Sequence, residues 1–228
     1  MPLYTADALV LRTYKLGEAD RIVVFLTRDR GKKRGVAKGA RRQRSRFVGA
    51  LEPLTEVRVA YFEKERRELV GLNYAETVRS PLAFVGAPKG GPGDGESAGE
   101  HIEYVAYFAE LIDEWAQEAD ADDRLFRLGA SMLDAFAAGA PAEPLARYFE
   151  YWLLRLQGVY PEARGSLSEG AVAFLAASRT VPPHRVGELT VDRRVLRELE
   201  AVHRTMIAMH LEKTLKSDRV LRDLRRHA

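Results

Sequence analysis

Residues 86–100 read GAPKGGPGDGESAGE, and on either side of this stretch the hydrophobic periodicity differs. Six glycines and two prolines in 15 residues leave no stable helix or strand, so a linker or long exposed loop is expected over 81–100. Before it, the apolar pattern is β. Ala6, Ala8 and Val10 alternate with Asp7, Leu9 and Leu11, and Val57, Val59 and Tyr61 alternate with Arg58, Ala60 and Phe62. The continuous apolar run Ile22-Val-Val-Phe-Leu26 suits a strand covered on both faces. Gly35-Val-Ala37 and Leu69–Tyr74 bring the total to about five short strands in 80 residues, a spacing that predicts a compact barrel. The interval near Arg44–Leu51 leaves room for a short helix between the third and fourth strands. Five strands with that insertion suit an OB-fold, and a small SH3-like barrel is also compatible with the pattern.

After residue 100 the period becomes 3.6. Ile102, Val105, Phe108, Ala109, Ile112 and Trp115 mark one helical face, and Leu125, Leu128, Met132, Leu133 and Phe136 a second. Leu145, Tyr148, Phe149, Trp152, Leu153 and Leu156 mark a third. Ser166-Leu-Ser-Glu169 has the capping-box pattern and leads into the apolar run 171–177. A last helical region runs from Val195 through Leu199, Val202, Met206, Leu211 and Leu215 to Leu224. Trp115 and Trp152 read as core anchors. The expected fold is therefore α+β and multidomain: an OB-fold β-barrel over 1–80, a linker over 81–100, and an all-α helical bundle over 101–228.

Of the 228 residues, 46% are apolar and 30% charged, a globular balance that excludes a disordered or fibrous chain. No apolar run approaches the roughly 20 residues that a membrane-spanning helix needs. The N-terminal residues lack a basic segment followed by a long apolar stretch, so no signal peptide is expected. The absence of cysteine excludes disulfides, thiolate catalysis and cysteine-ligated zinc. A cytoplasmic protein is the natural expectation.

The net charge of +3 conceals a segregation. Residues 1–80 hold 18 Lys and Arg against 10 Asp and Glu, whereas residues 81–228 hold 18 against 23. Between Arg28 and Arg46 lie ten cations, Arg28, Arg30, Lys32, Lys33, Arg34, Lys38, Arg41, Arg42, Arg44 and Arg46, with only Asp29 opposing them. So dense a run of one sign favours a polyanionic partner over a merely solvated face. It lacks the broad apolar face that membrane-surface binding requires. Tyr14, Phe47 and Tyr61 lie near these cations, and both base stacking and burial in the barrel core are open to them. A second basic cluster, 193–228, holds 10 Lys and Arg against five acids, and suits phosphate, the acidic tail of a partner, or a solvated helix face.

Catalytic motifs are missing. The chain contains no G-x-x-x-x-G-K-[ST] loop, no G-x-G-x-x-G between strand and helix, and no G-x-S-x-G elbow. His203 and His210 are too few for a zinc site and read as structural or surface groups. Residues 94–123 carry 11 carboxylates and no Lys or Arg. Asp120, Asp122 and Asp123 within it suit a cation less well than a solvated acidic loop. An acidic face that competes with DNA for the barrel is a further reading of this stretch.

Several separated motifs resemble the RecO family of bacterial recombination mediators. They are Ala8-Leu-Val-Leu-Arg12, Leu16-Gly-Glu-Ala-Asp-Arg21, Phe25-Leu-Thr27 with Gly31, and Val36-Ala-Lys-Gly-Ala40. Ser45-Arg-Phe47, Leu51-Glu-Pro53, Tyr74-Ala-Glu76 and His210-Leu-Glu-Lys-Thr-Leu-Lys-Ser217 with Arg219-Val-Leu221 continue the likeness. The resemblance implies an N-terminal OB-fold, a helical domain, and no enzymatic activity, catalytic residue or cofactor. It implies binding of single- and double-stranded DNA, annealing of complementary strands, and work beside the nucleoid. Its implied partners are RecR, single-stranded-DNA-binding protein and, indirectly, RecA. The family's DNA surface carries over to Arg12, Arg21, Lys32, Lys33, Arg34, Lys38, Arg41, Arg42 and Arg44, with Arg46 added from the basic run. A partner-docking role carries over to Lys213, Lys216 and Arg219. Many members have a four-cysteine zinc module after a Gly-x-x-Pro stretch. Here Gly158-Val-Tyr-Pro161 leads almost directly to Ser166, so no metal is expected. Two other functions remain to be weighed: an adaptor whose barrel only orients a DNA-bound complex, and, ranked last, a metal-dependent nuclease.

Overall fold

The alternating residues of the N-terminal part form five strands, β1 (Leu3–Leu16), β2 (Asp20–Thr27), β3 (Gly31–Ala37), β4 (Glu56–Phe62) and β5 (Val70–Arg79). In the computed structural model, which describes residues 2–63, 68–85, 98–161, 167–213, 215–217 and 220–221, they close in the order β1-β2-β3-β5-β4. β4 returns antiparallel to β1, from Leu3↔Phe62 to Leu9↔Glu56. β3 and β5 run parallel over Gly35↔Val70, Val36↔Gly71 and Ala37↔Leu72. A closed five-stranded barrel in this order fits the OB-fold expectation.

Alternation explains the filling. Ala8, Val10, Val23, Phe25, Val57, Val59, Tyr61 and Leu72 point inward and form the barrel core. β2 is buried on both faces, as its unbroken apolar run predicts, for Val24 and Leu26 are covered as well as Val23 and Phe25. The helix expected near Arg44–Leu51 is not formed. Successive i→i+3 turns take its place: Arg42 N–H donates to Gly39 O, Ser45 N–H to Arg42 O, Val48 N–H to Ser45 O and Ala50 N–H to Phe47 O. Gly39 and Gly49, both at positive φ (70° and 74°), interrupt any continuous helical run. The turns still do a helix's work, because Phe47, Ala50 and Leu51 enter the barrel core.

The helices are α1 (Leu82–Val85), α2 (Ala98–Trp115), α3 (Asp123–Ala137), α4 (Ala142–Leu156), α5 (Glu169–Ala177) and α6 (Arg193–Leu211), with a 3₁₀ turn at Pro183–Glu188. Of the expected linker, 86–97 lie outside the described residues, while 82–85 and 98–100 on its flanks are helical. The compact units do not follow chain order. One contains residues 1–86 and 105–130, the other 87–104 and 131–228. The division at 81–100 therefore differs from the spatial one: the second half of α2 and the first half of α3 belong with the barrel. The physical reason is visible on its outer face. Leu9, Leu11, Val24 and Leu26 point away from the barrel interior yet are buried. Val105, Phe108 and Ile112 of α2 supply the matching apolar stripe and are buried too. At Gly129 any Cβ would run into Ile112 and Leu9.

In the other unit α6 packs on α4 and α5. Leu145, Phe149, Leu153 and Leu154 of α4 and Leu196, Leu199 and Ile207 of α6 are buried. Within this core Arg147 Nη2 lies 2.8 Å from Glu150 Oε1, and His203 Nδ1 3.0 Å from Glu150 Oε2. All three residues are buried, which makes His203 a structural group. The N-cap of α5 is Ser168, whose hydroxyl accepts from Ala171 N–H at 3.3 Å. Ser166 of the expected capping box lies outside the described residues. α6 stops at Glu212, which adopts φ 53°, so the last apolar stretch is not one helix. Trp152 is half-buried and donates from Nε1 to Ser178 O at 3.0 Å.

Candidate nucleic-acid interface

The loop from Lys38 to Thr55 is amphipathic in three dimensions. Phe47, Ala50 and Leu51 enter the barrel while Lys38, Arg41, Arg42, Arg44 and Arg46 remain exposed. Arg34, on the outer face of β3, is exposed as well. Among the described residues none of these six cations pairs with a carboxylate. The loop is anchored to the β1–β2 hairpin. Arg41 donates from its backbone N–H to Ala19 O (2.9 Å) and from Nη1 to Gly17 O (2.9 Å), and Gly39 N–H donates to Asp20 Oδ1 (2.7 Å). Arg46 lies over the Phe47 ring, 5.1 Å from its centroid. Arg21 is half-buried and donates to Thr13 Oγ1 at 3.1 Å.

Across the hairpin Arg21 stands directly opposite Lys15, which is exposed. Like charges facing each other on neighbouring strands are unfavourable, so this pair adds to the local demand for an anion. Lys15 was not among the expected site residues, since it lies outside the 28–46 run. Its signal was the short turn 17–19, which brings residues 15 and 21 into register.

The remaining expected cations are already engaged. Arg12 lies 3.3 Å from Asp113, 3.7 Å from Glu110 and 3.9 Å from Glu114. Burial works against its charge, but the Tyr14 hydroxyl and the Asp113 and Glu110 carboxylates outweigh this and move its pKa upward. Lys32 Nζ donates to Asp113 O at 2.6 Å and lies 3.4 Å from Asp113 Oδ1. Lys33 pairs with Glu63 at 2.8 Å, and Arg28 with Asp123 at 2.8 Å. Arg12, Lys32 and Lys33, expected on the DNA surface, thus sit in intramolecular ion pairs. The sequence argument counted cations along the chain and had no means of seeing their partners, which for Lys33 lie 30 residues away and for Lys32 81.

The aromatics separate in the same way. Phe47 and Tyr61 are buried in the barrel core, and burial pushes the Tyr61 phenol up to about 12. Tyr14 alone of the three is exposed. Asp122 caps α3 by accepting from Leu125 N–H at 2.9 Å, and Asp123 also pairs with Arg127 at 3.0 Å. Among the described residues no group of three or more acids or histidines is placed to hold a metal ion. None of the described helices is long and apolar enough to cross a membrane. Lys213 and Lys216 are exposed beyond the end of α6, and Arg219 lies outside the described residues.

Comparison with known proteins agrees with this architecture. The family profile described as Recombination protein O N terminal matches residues 1–81, and that described as Recombination protein O C terminal matches 97–164. A DNA repair protein RecO of Koribacter versatilis is 40% identical over 161 residues, 70% of this chain and 61% of the relative. One from an Anaeromyxobacter is 39% identical over 73% of this chain and 63% of the relative. The matches thus span about three fifths of the length of these relatives. The RecO of Pelotomaculum thermopropionicum is 30% identical over 95% of this chain and 93% of its own length. With both family profiles matched in order and a relative 30% identical over 95% of this chain, the chain belongs to the RecO family.

Proposed function

We propose that the protein is a DNA repair and recombination mediator that binds single- and double-stranded DNA and anneals complementary strands. The observation that carries this reading is the set of six exposed cations, Arg34, Lys38, Arg41, Arg42, Arg44 and Arg46, with no carboxylate partner among the described residues. Such a surface is electrostatically costly unless phosphates neutralise it. The mechanism is binding without catalysis. Two strands dock on the basic surface, their mutual phosphate repulsion falls, and complementary bases meet at raised local concentration. Phosphate contacts carry no base information, so binding is indifferent to sequence. Beside the nucleoid, the protein would act with RecR and single-stranded-DNA-binding protein to help load RecA, as the family resemblance implies. The helical unit, with Lys213 and Lys216 exposed, is the candidate surface for an acidic partner tail.

The test is the annealing rate of two complementary labelled oligonucleotides with purified protein, without ATP, at two salt concentrations. Acceleration that weakens with salt is expected. Contact with about six phosphates gives log K against log[salt] a slope of roughly −4 for single strands. Folded protein that neither binds nor anneals DNA rejects the reading and favours the adaptor.

A further inference from the structure

Glu110, Asp113 and Glu114 fall at i, i+3 and i+4, so one face of α2 presents all three to the barrel cation Arg12. Whether DNA can displace them depends on what holds the helix in place. Val105, Phe108 and Ile112 are buried on the apolar stripe of α2. Beyond its end, Lys32 N–H donates to Gln117 O at 3.0 Å, and Ala119 N–H reaches Lys32 O at 3.4 Å. This forms a parallel bridge, Lys32↔Glu118, along the part of β3 that precedes its pairing with β5. Gly31, at φ 67°, backs directly onto the Asp120 backbone. Each buried apolar side chain contributes about 1.5–3 kcal/mol. The ion pairs of Arg12 and Lys32 are partly buried, and exchanging their carboxylates for phosphates trades one paired charge for another, which gains little to offset the loss of that apolar burial. Phosphates offered in exchange for the carboxylates therefore cannot lift the helix away. Glu118 and Asp120, both exposed, continue the acidic edge along β3.

We propose that this carboxylate row is a fixed electronegative border of the DNA surface. It withdraws Arg12 and Lys32 from phosphate binding and directs the DNA backbone to the loop cations Lys38, Arg41, Arg42, Arg44 and Arg46, with Arg34, which lines one concavity with Glu118, at its edge. A strand that strays within a Debye length of the row, about 8–10 Å, meets like charge. The inference rests on the DNA-binding reading and adds to it where the surface ends and why.

The test measures binding of a labelled oligothymidylate by the full chain across a series of NaCl concentrations. Lys38→Gln is expected to make the salt slope shallower by about 0.7, the amount for one lost phosphate contact on a single strand. Arg12→Gln is expected to leave the slope unchanged. The triple variant Glu110→Gln, Asp113→Asn, Glu114→Gln releases Arg12 and Lys32, so its slope steepens by about 0.7–1.4 and its affinity rises. Arg12→Gln added to the triple variant then takes about 0.7 back. The border is overturned if Arg12→Gln flattens the native slope as Lys38→Gln does, or if the triple variant leaves slope and affinity unchanged. Should Arg12→Gln fail to fold, the triple variant decides by itself. A native chain that binds no DNA at low salt defeats the function proposed above, and the border with it.

Discussion

Two halves of one basic run have opposite fates. Residues 28–33 find carboxylates in their own unit: Arg28 and Lys32 meet Asp123 and Asp113 of the acidic segment, and Lys33 meets Glu63 just after β4. Residues 34–46 supply six exposed cations that meet no carboxylate among the described residues. The two halves share composition and local spacing. What separates them is β geometry. The first half lies along the part of β3 that the segment 117–119 bridges. The second begins where β3 turns to β5 and continues into a loop whose apolar residues face inward. Charge density along a chain thus marks a polyanion site only where the fold withholds internal partners.

The strongest way to break this difference is Gly31→Ala. It forces a side chain into left-handed backbone, at about 1–2 kcal/mol, and against the Asp120 backbone, at about 1–3 kcal/mol more. A loss of roughly 3 kcal/mol in urea unfolding is expected. A variant as stable as the native chain would show that the acidic segment is not docked on β3. Next in size is Lys38→Glu with Arg41→Glu. Reversing two phosphate-binding charges should weaken DNA binding about 100-fold at low salt, equally for all base sequences. Losses restricted to particular sequences would contradict a phosphate-only surface.

The third prediction concerns the interior beneath the cations. Burial holds the Tyr61 phenol up to about 12, above its ordinary value of 10. Its contribution to stability is present in full below pH 10 and is lost as pH rises toward 12. Thermal melts should show the barrel weakening over that window, and Tyr61→Phe should flatten the decline. The phenol oxygen finds no hydrogen-bond partner among the described residues, so near neutral pH Tyr61→Phe should be neutral or stabilising by about 1 kcal/mol. A clear destabilisation at pH 7 would mean that the hydroxyl is satisfied after all. The smallest effect is expected from Arg28→Gln. The Arg28–Asp123 pair is half exposed, and its loss should cost about 0.5 kcal/mol and leave DNA affinity unaltered. A measurable fall in affinity would move Arg28 into the binding half.

The strands were legible because period-2 alternation survives in nearly all of them, and the unbroken run 22–26 even announced a strand covered on both faces. The turns at 39–51 were not, because Phe47, Ala50 and Leu51 are spaced closely enough for a helix. The left-handed backbone at Gly49 breaks that run, and i→i+3 turns take the helix's place. Phe47 and Tyr61 left stacking and burial equally open in the sequence. Their place in the barrel core settles it, and leaves Tyr14 as the exposed aromatic.

By itself the sequence determined the class of each segment, the absence of thiol chemistry, and the family, since periodicity, composition and short motifs are all local properties. Only the tertiary structure decided which cations are available. A strand such as β1 pairs with β2 and β4 through its edges, but its outer face accepts whichever apolar stripe covers it. Here that stripe belongs to a helix some 100 residues away, and the carboxylates on the same helix came with it.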